Sequence, residues 1–125
     1  MSNIDRLLES VRARISVVDS STASALRDGG ALFVDTRPVS QRCEFGEIPG
    51  AIAVERNHLE WRLDPTSTHR HPAAIDHAGP IVVFCQEGFS SSLAVASLGD
   101  VGVTDVHDLA GGFQAWREHG LPTTF

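Results

Sequence analysis

Residues Ile81-Val82-Val83-Phe84-Cys85-Gln86-Glu87-Gly88-Phe89-Ser90-Ser91 run from an apolar tetrapeptide, through a single cysteine, into a short loop that opens into the helical stretch Ser92 to Leu98. The apolar run reads as a buried strand, and its sharp end at Cys85 places the thiol where strand gives way to helix. A cysteine there faces several unpaired backbone N–H groups and the positive end of a helix dipole. Both favour the thiolate, which is the nucleophilic form. The same placement also suits a small, inert residue that closes a strand.

Working outward, the pattern alternates. Ile4, Leu7, Leu8, Val11 and Ile15 recur at helical spacing, predicting an amphipathic helix over 3–14 that serves packing. Ser16 to Asp19 reads as a short edge strand, and Ser20 to Arg27 as a helix capped by Asp19, Ser20 or Ser21 and ended by Gly29 and Gly30. Ala31 to Val34 is a buried strand, and Gly46, Pro49 and Gly50 supply a turn into a strand from Ala51 to Val54. Gly111 and Gly112 precede a helix from Phe113 to His119, which Trp116 packs on the sheet. Strands alternating with helices predict right-handed βαβ units and a mostly parallel sheet, with ligand sites outside the carboxyl ends of the strands. Asp35, Glu55, Arg56 and Cys85 fall at such ends. The segment from Asp64 to Pro80, rich in Pro, His, Thr and Ala, is the expected loose region.

Four ordered segments carry a family resemblance. Val34-Asp35-Thr36-Arg37, Gly46-Glu47-Ile48-Pro49-Gly50-Ala51, Cys85-Gln-Glu-Gly-Phe-Ser-Ser91 and Leu109-Ala110-Gly111-Gly112-Phe113-Gln114-Ala115-Trp116 together resemble the rhodanese-like sulfurtransferases. The resemblance implies a small three-layer α/β fold with a central, mostly parallel five-stranded sheet flanked by helices. It implies a domain over 16–125, with residues 1–15 as a helix packed upon it. It also implies that Cys85 carries sulfane sulfur as a persulfide, with Gln86, Glu87, Gly88, Phe89, Ser90 and Ser91 forming the substrate-binding loop.

The loop departs from the family in charge. Ser90 stands where many relatives carry Arg, and Glu87 adds a negative charge, so the loop side chains supply no cation for a dianionic donor such as thiosulfate. Backbone amides can still bind an anion. Arg37, Arg56 or Arg62 from neighbouring strand ends are the candidates to restore positive potential. Asp35 and Arg37 leave one strand end together, which invites a catalytic role, but a charge pair that organises loops is the favoured account.

At 125 residues with 42% hydrophobic content the chain suits one domain with its own core. Ten Lys and Arg against sixteen Asp and Glu give a formal charge of −6, which argues against a nucleic-acid or anionic-membrane surface. The stretch Ser2 to Ile15 is charged throughout and reads neither as a signal nor as a membrane span. With only Cys43 and Cys85, a reducing, cytoplasmic setting is expected. His58, His69, His71, His77, His107 and His119 show no spacing that completes a tetrahedral set, so no metal and no cofactor are expected. Cys43 could resolve a Cys85 persulfide, but a nonspecific, partly buried thiol is the preferred account.

The expected activity is sulfane-sulfur transfer, from thiosulfate or a persulfide donor to a thiol, cyanide or protein acceptor. The alternative is a persulfide-carrying or regulatory protein-interaction module with little small-molecule turnover. Phosphatase or arsenate-reductase chemistry would require Arg six positions after the cysteine, and position 91 is Ser. The sequence does not specify the oligomeric state.

Overall fold

Five parallel strands, β1 (Ser16–Val18), β2 (Leu32–Asp35), β3 (Ile52–Ala53), β4 (Ile81–Phe84) and β5 (Val106–Leu109), lie in the order β1-β5-β4-β2-β3 in the computed structural model, which describes residues 1–125. The most apolar strand, β4, sits at the centre. It pairs with β2 through Val83 opposite Val34 and with β5 through Val83 opposite Asp108. Strands buried on both faces read as continuous apolar runs, which is why β4 has no alternation. β1 is an edge strand and ends at Val18, one residue earlier than expected.

Helices cover both faces. On one side α4 (Leu59–Leu63) and α6 (Ser90–Asp100) enclose Val34, Val54, Leu59, Leu63, Val83, Ala94, Val95, Leu98 and Val103. On the other, α2 (Ser20–Asp28) and α7 (Gly112–Glu118) enclose Ala23, Phe33, Val82, Phe84, Leu109, Phe113 and Trp116. Trp116 is wholly buried, edge-on to Phe33 at 5.5 Å, and its indole N–H donates to the Pro122 carbonyl at 2.8 Å. A buried Trp needs that partner, because an unpaired indole N–H would offset part of its hydrophobic gain. The result is a three-layer α/β fold.

Local chemistry sets the element ends. α1 (Asn3–Arg12) begins with a reciprocal capping box: Asp5 N–H donates to Ser2 Oγ at 3.1 Å and Ser2 N–H to the Asp5 carboxylate at 3.2 Å. α1 stops at Arg12, two residues short of expectation. It buries Leu8 and Val11 against the fold, while Ile4 and Leu7 stay exposed and Ile15 packs from outside the helix. Of the three cap candidates for α2, Asp19 takes the role, its carboxylate accepting from Thr22 N–H at 2.8 Å.

Two expectations are corrected. Residues 64–80 are held by their own polar side chains: Asp64 accepts from Thr66, Ser67 from His69 N–H, and Arg62 and Arg70 donate to the His69 and Ser67 carbonyls. These turns lead into α5 (Pro72–Ile75), whose N-cap is His71. Asp, Ser and Thr close local turns through their side chains, which a composition argument for looseness misses. Likewise the segment around Cys43 is helical, α3 (Val39–Phe45), with Cys43 exposed upon it.

Candidate active site

Cys85 follows β4 directly and is 6% exposed. Its sulfur accepts N–H bonds from Gly88 at 3.2 Å and Ser91 at 3.4 Å, and its thiol lies 3.3 Å from Ser91 Oγ. α6 starts at Ser90, two residues earlier than the expected Ser92. The N-cap residue, Phe89, has no side-chain acceptor to offer, and the Cys85 sulfur fills that place by accepting the Ser91 N–H in the first turn. The sulfur is therefore the cap of an eleven-residue helix. A negative charge on it is favoured by the dipole of that helix and by two aimed amides.

Two glycines make the loop possible. Gly112 has φ 61°, and a Cβ there would stand 2.5 Å from the Cys85 carbonyl oxygen; one on Gly88, at φ 88°, would stand 2.8 Å from Gly111 N. This close approach lets the start of α7 hold the loop. Phe113 N–H donates to the Cys85 carbonyl at 2.9 Å and Gln114 N–H to the Gln86 carbonyl at 3.0 Å.

A polar network extends beneath the loop. Ser91 Oγ and Ser92 Oγ each donate to the buried Asp108 carboxylate at 2.6 Å. Burial pushes the Asp108 carboxyl above its ordinary value, against the opposing hydrogen bonds from Ser91 and Ser92 and the charge of Arg12. Arg12, from α1, donates through Nε to Ser92 Oγ at 3.0 Å and through Nη2 to the Gly88 carbonyl at 2.8 Å, and lies 5.9 Å from the centroid of the Phe89 ring. Neither Arg12 nor Asp108 stood out in the sequence. Arg12 lies four residues after the buried Leu8, on the packed stripe of α1, and Asp108 interrupts an otherwise core-forming strand. For Asp108 the available signal was a charge at a buried position, and for Arg12 a charge on the helix face shared with Leu8.

The structure separates the arginine candidates. Arg37 is 1% exposed; it forms a two-pronged pair with Asp35 at 3.0 and 2.7 Å, donates to Gln86 Oε1 at 2.9 Å and to the Gly46 carbonyl at 2.8 Å, and stacks over Phe113 at 4.2 Å. It thus ties the β2 end, the Gly46 turn and the Cys85 loop together, with its charge matched by Asp35. Arg56 bonds Glu60 at 2.9 Å and lines a cleft with Thr36, Pro38, Glu55 and Asn57. Thr36 on this cleft donates through both its N–H and its hydroxyl to the carbonyl of Phe84, the last residue of β4, at 3.0 Å. Arg62 turns to the His69 carbonyl, so neither it nor Arg56 hydrogen bonds to the loop. Glu87, Phe89 and Ser90 are the exposed loop side chains.

A family model described as a rhodanese-like domain matches residues 19–119. The chain belongs to the rhodanese-like family. Among curated rhodanese-like relatives, the thiosulfate sulfurtransferase GlpE of Pseudomonas savastanoi pv. phaseolicola is 37% identical over 95 residues, 76% of this chain and 80% of that protein. GlpE of Pseudomonas paraeruginosa is 38% identical over 95 residues, 76% of this chain and 77% of that protein. A protein of unknown function from Rhodopseudomonas palustris, described as a possible tyrosine phosphatase, superposes with TM-score 0.87 at 30% identity, covering 98% of this chain and 95% of that one. A thiosulfate sulfurtransferase from Pseudomonas aeruginosa superposes with TM-score 0.70 at 27% identity over 88% of this chain and 19% of that one. The rhodanese-like match begins after α1, so Arg12 lies outside it while contacting the loop within it.

Proposed function

We propose that this rhodanese-like protein is a sulfurtransferase that moves sulfane sulfur from thiosulfate or a persulfide donor to a thiophilic acceptor through a persulfide on Cys85. The observation that carries this reading is the position of the Cys85 sulfur, capping α6 and receiving the Gly88 and Ser91 N–H groups. The names of the curated GlpE relatives support it. In the first half-reaction the Cys85 thiolate attacks the outer sulfur of the donor. A Cys85 S–S bond forms, the donor's S–S bond breaks, and the donor remnant leaves with the bonding pair, as sulfite when the donor is thiosulfate. In the second, the acceptor attacks the outer persulfide sulfur and the Cys85 thiolate leaves. This is covalent, two-step catalysis by an activated nucleophile.

Charge favours a neutral or singly charged donor. Arg37 is matched by Asp35, Arg12 is engaged with the Gly88 carbonyl and Ser92, and Glu87 is exposed in the loop. A dianion gains less there than at a loop carrying a free guanidinium. That same observation supports the second reading, a persulfide carrier whose partner is a protein. Phosphoryl chemistry lacks support from the loop, because Ser91 occupies the place of a clamping Arg and the sulfur's hydrogen-bond partners are Gly88 and Ser91 rather than a guanidinium. Initial rates with thiosulfate or a low-molecular-weight persulfide against cyanide or a small thiol separate the first two. Parallel double-reciprocal lines with multiple turnover are expected; a single stoichiometric transfer that only a protein acceptor completes would establish the carrier instead.

A further inference from the structure

A continuous hydrogen-bonded line leads from the Cys85 sulfur into the core: the thiol to Ser91 Oγ at 3.3 Å, and Ser91 Oγ to Asp108 Oδ1 at 2.6 Å. Neither Ser91 nor Asp108 is accessible to water, at 0% and 1% exposure, and Cys85 is nearly so. The acceptor that the Cys85 thiol meets is the buried Ser91 Oγ. We propose that Ser91 and Asp108 form a buried proton relay that takes the Cys85 proton as the thiolate is generated and returns it when the thiol is restored.

The step balances without any further reactant. The Cys85 S–H proton passes to Ser91 Oγ while the Ser91 hydroxyl proton passes to Asp108 Oδ1, leaving Cys85 S⁻, an intact Ser91 hydroxyl and a neutral Asp108 carboxyl. The line then runs the opposite way, with Asp108 O–H donating to Ser91 Oγ and Ser91 O–H donating to the thiolate. Each heavy atom stays in place. Ser91 touches the reacting sulfur; Asp108 acts through it.

The surroundings of Asp108 suit a group that changes charge. Its strand neighbours are both apolar, the buried Val83 on β4 and the exposed Val17 on β1. From α6 its carboxylate accepts from the two serine hydroxyls. The charged group nearest it from α1 is Arg12, reached through Ser92, and the titratable group from the end of β4 is Cys85, reached through Ser91. Burial disfavours the Asp108 anion and so raises its appetite for a proton, while the second hydroxyl, Ser92, keeps Oδ2 satisfied in either state.

The proposal rests on Cys85 being the nucleophile, and its test needs no sulfur donor. In a Cys43→Ala background, alkylation of Cys85 by iodoacetamide is followed by intact mass from about pH 5 to about pH 9, the range over which thiol reactivity changes. Asp108→Asn and Ser91→Ala should each slow alkylation near neutral pH about tenfold and move the rise of the profile to higher pH, and the double variant should be no slower than either. Ser91→Thr should restore the profile. A carboxylate that stays ionised and only braces the helix predicts the opposite sign, because Asp108→Asn would then remove a negative charge near the sulfur and speed alkylation. That result overturns the relay. If Asp108→Asn does not fold, the Ser91 pair decides: an unchanged profile in Ser91→Ala overturns it equally. The expected alkylation pattern without any sulfur transfer would support the relay while overturning the proposed reaction.

Discussion

Arg12 and Gly88 are 76 positions apart in the chain, yet the guanidinium of one donates to the carbonyl of the other at 2.8 Å. The bond turns a loop carbonyl toward α1 while the Gly88 N–H points at the Cys85 sulfur. The N-terminal helix is thereby a brace for the Cys85 loop. Arg12→Ala should lower the sulfur-transfer rate about three- to tenfold, since a partly exposed charged hydrogen bond contributes on the order of 1 kcal/mol. Arg12→Lys should not recover it, because the fork that spans Ser92 and Gly88 is lost. Equal steady-state rates for Arg12→Ala and the parent would remove the brace.

Gly112→Ala tests the close approach of α7 to the loop. The new Cβ would stand 2.5 Å from the Cys85 carbonyl at a residue with φ 61°. Clash and backbone strain together should cost about 2–4 kcal/mol in denaturant unfolding. Gly99→Ala, in the last turn of α6 with open space around its Cβ, should be neutral or mildly stabilising by comparison.

On the proposed reaction, loop charge should set donor preference. Glu87→Gln or Ser90→Arg should improve kcat/KM for thiosulfate more than for a neutral persulfide, and more at low salt, because screening weakens exposed charges. Equal gains with both donors would mean that the loop potential does not discriminate between them.

Asp108 also sets a pH dependence of stability. Its carboxyl is raised above the reference value of 3.8 chiefly by burial, so the folded state holds that proton more tightly than the unfolded chain does. The contribution is fully present below that reference value and is lost as pH rises through the folded value. Asp108→Asn, which cannot ionise, should therefore be less destabilising at neutral pH than in mild acid. Urea midpoints at the two pH values measure this, and a larger penalty at neutral pH would contradict it.

The parts of this protein that were legible in its sequence are those governed by short-range pattern. The apolar run into Cys85, the glycines at 111 and 112 and the cap at Asp19 report local backbone needs, and the strand-helix alternation leads to a parallel sheet. Arg12 was missed because its partners are 76 and 80 positions away. Asp108 was missed because the short strand that carries it, Val106–Leu109, was itself not read from a sequence with only two apolar residues there. The reverse error affected Arg56 and Arg62: strand-end positions suggested a shared rim, but hydrogen bonds to Glu60 and to the His69 carbonyl direct them elsewhere. The polar turns of 64–80 looked loose for a related reason, since side chains that solvate a loop and side chains that fasten it have the same composition.

Intact mass after incubation with a sulfur donor tests the central claim most directly. Cys43→Ala, which keeps Cys85 as the sole thiol, should gain a single sulfur atom, about 32 Da, and lose it on addition of cyanide, as a persulfide does. Cys85→Ser, folded and with Cys43 present, should gain nothing. A donor-dependent gain in Cys85→Ser, or sulfur transfer at the parental rate without Cys85, would contradict the account.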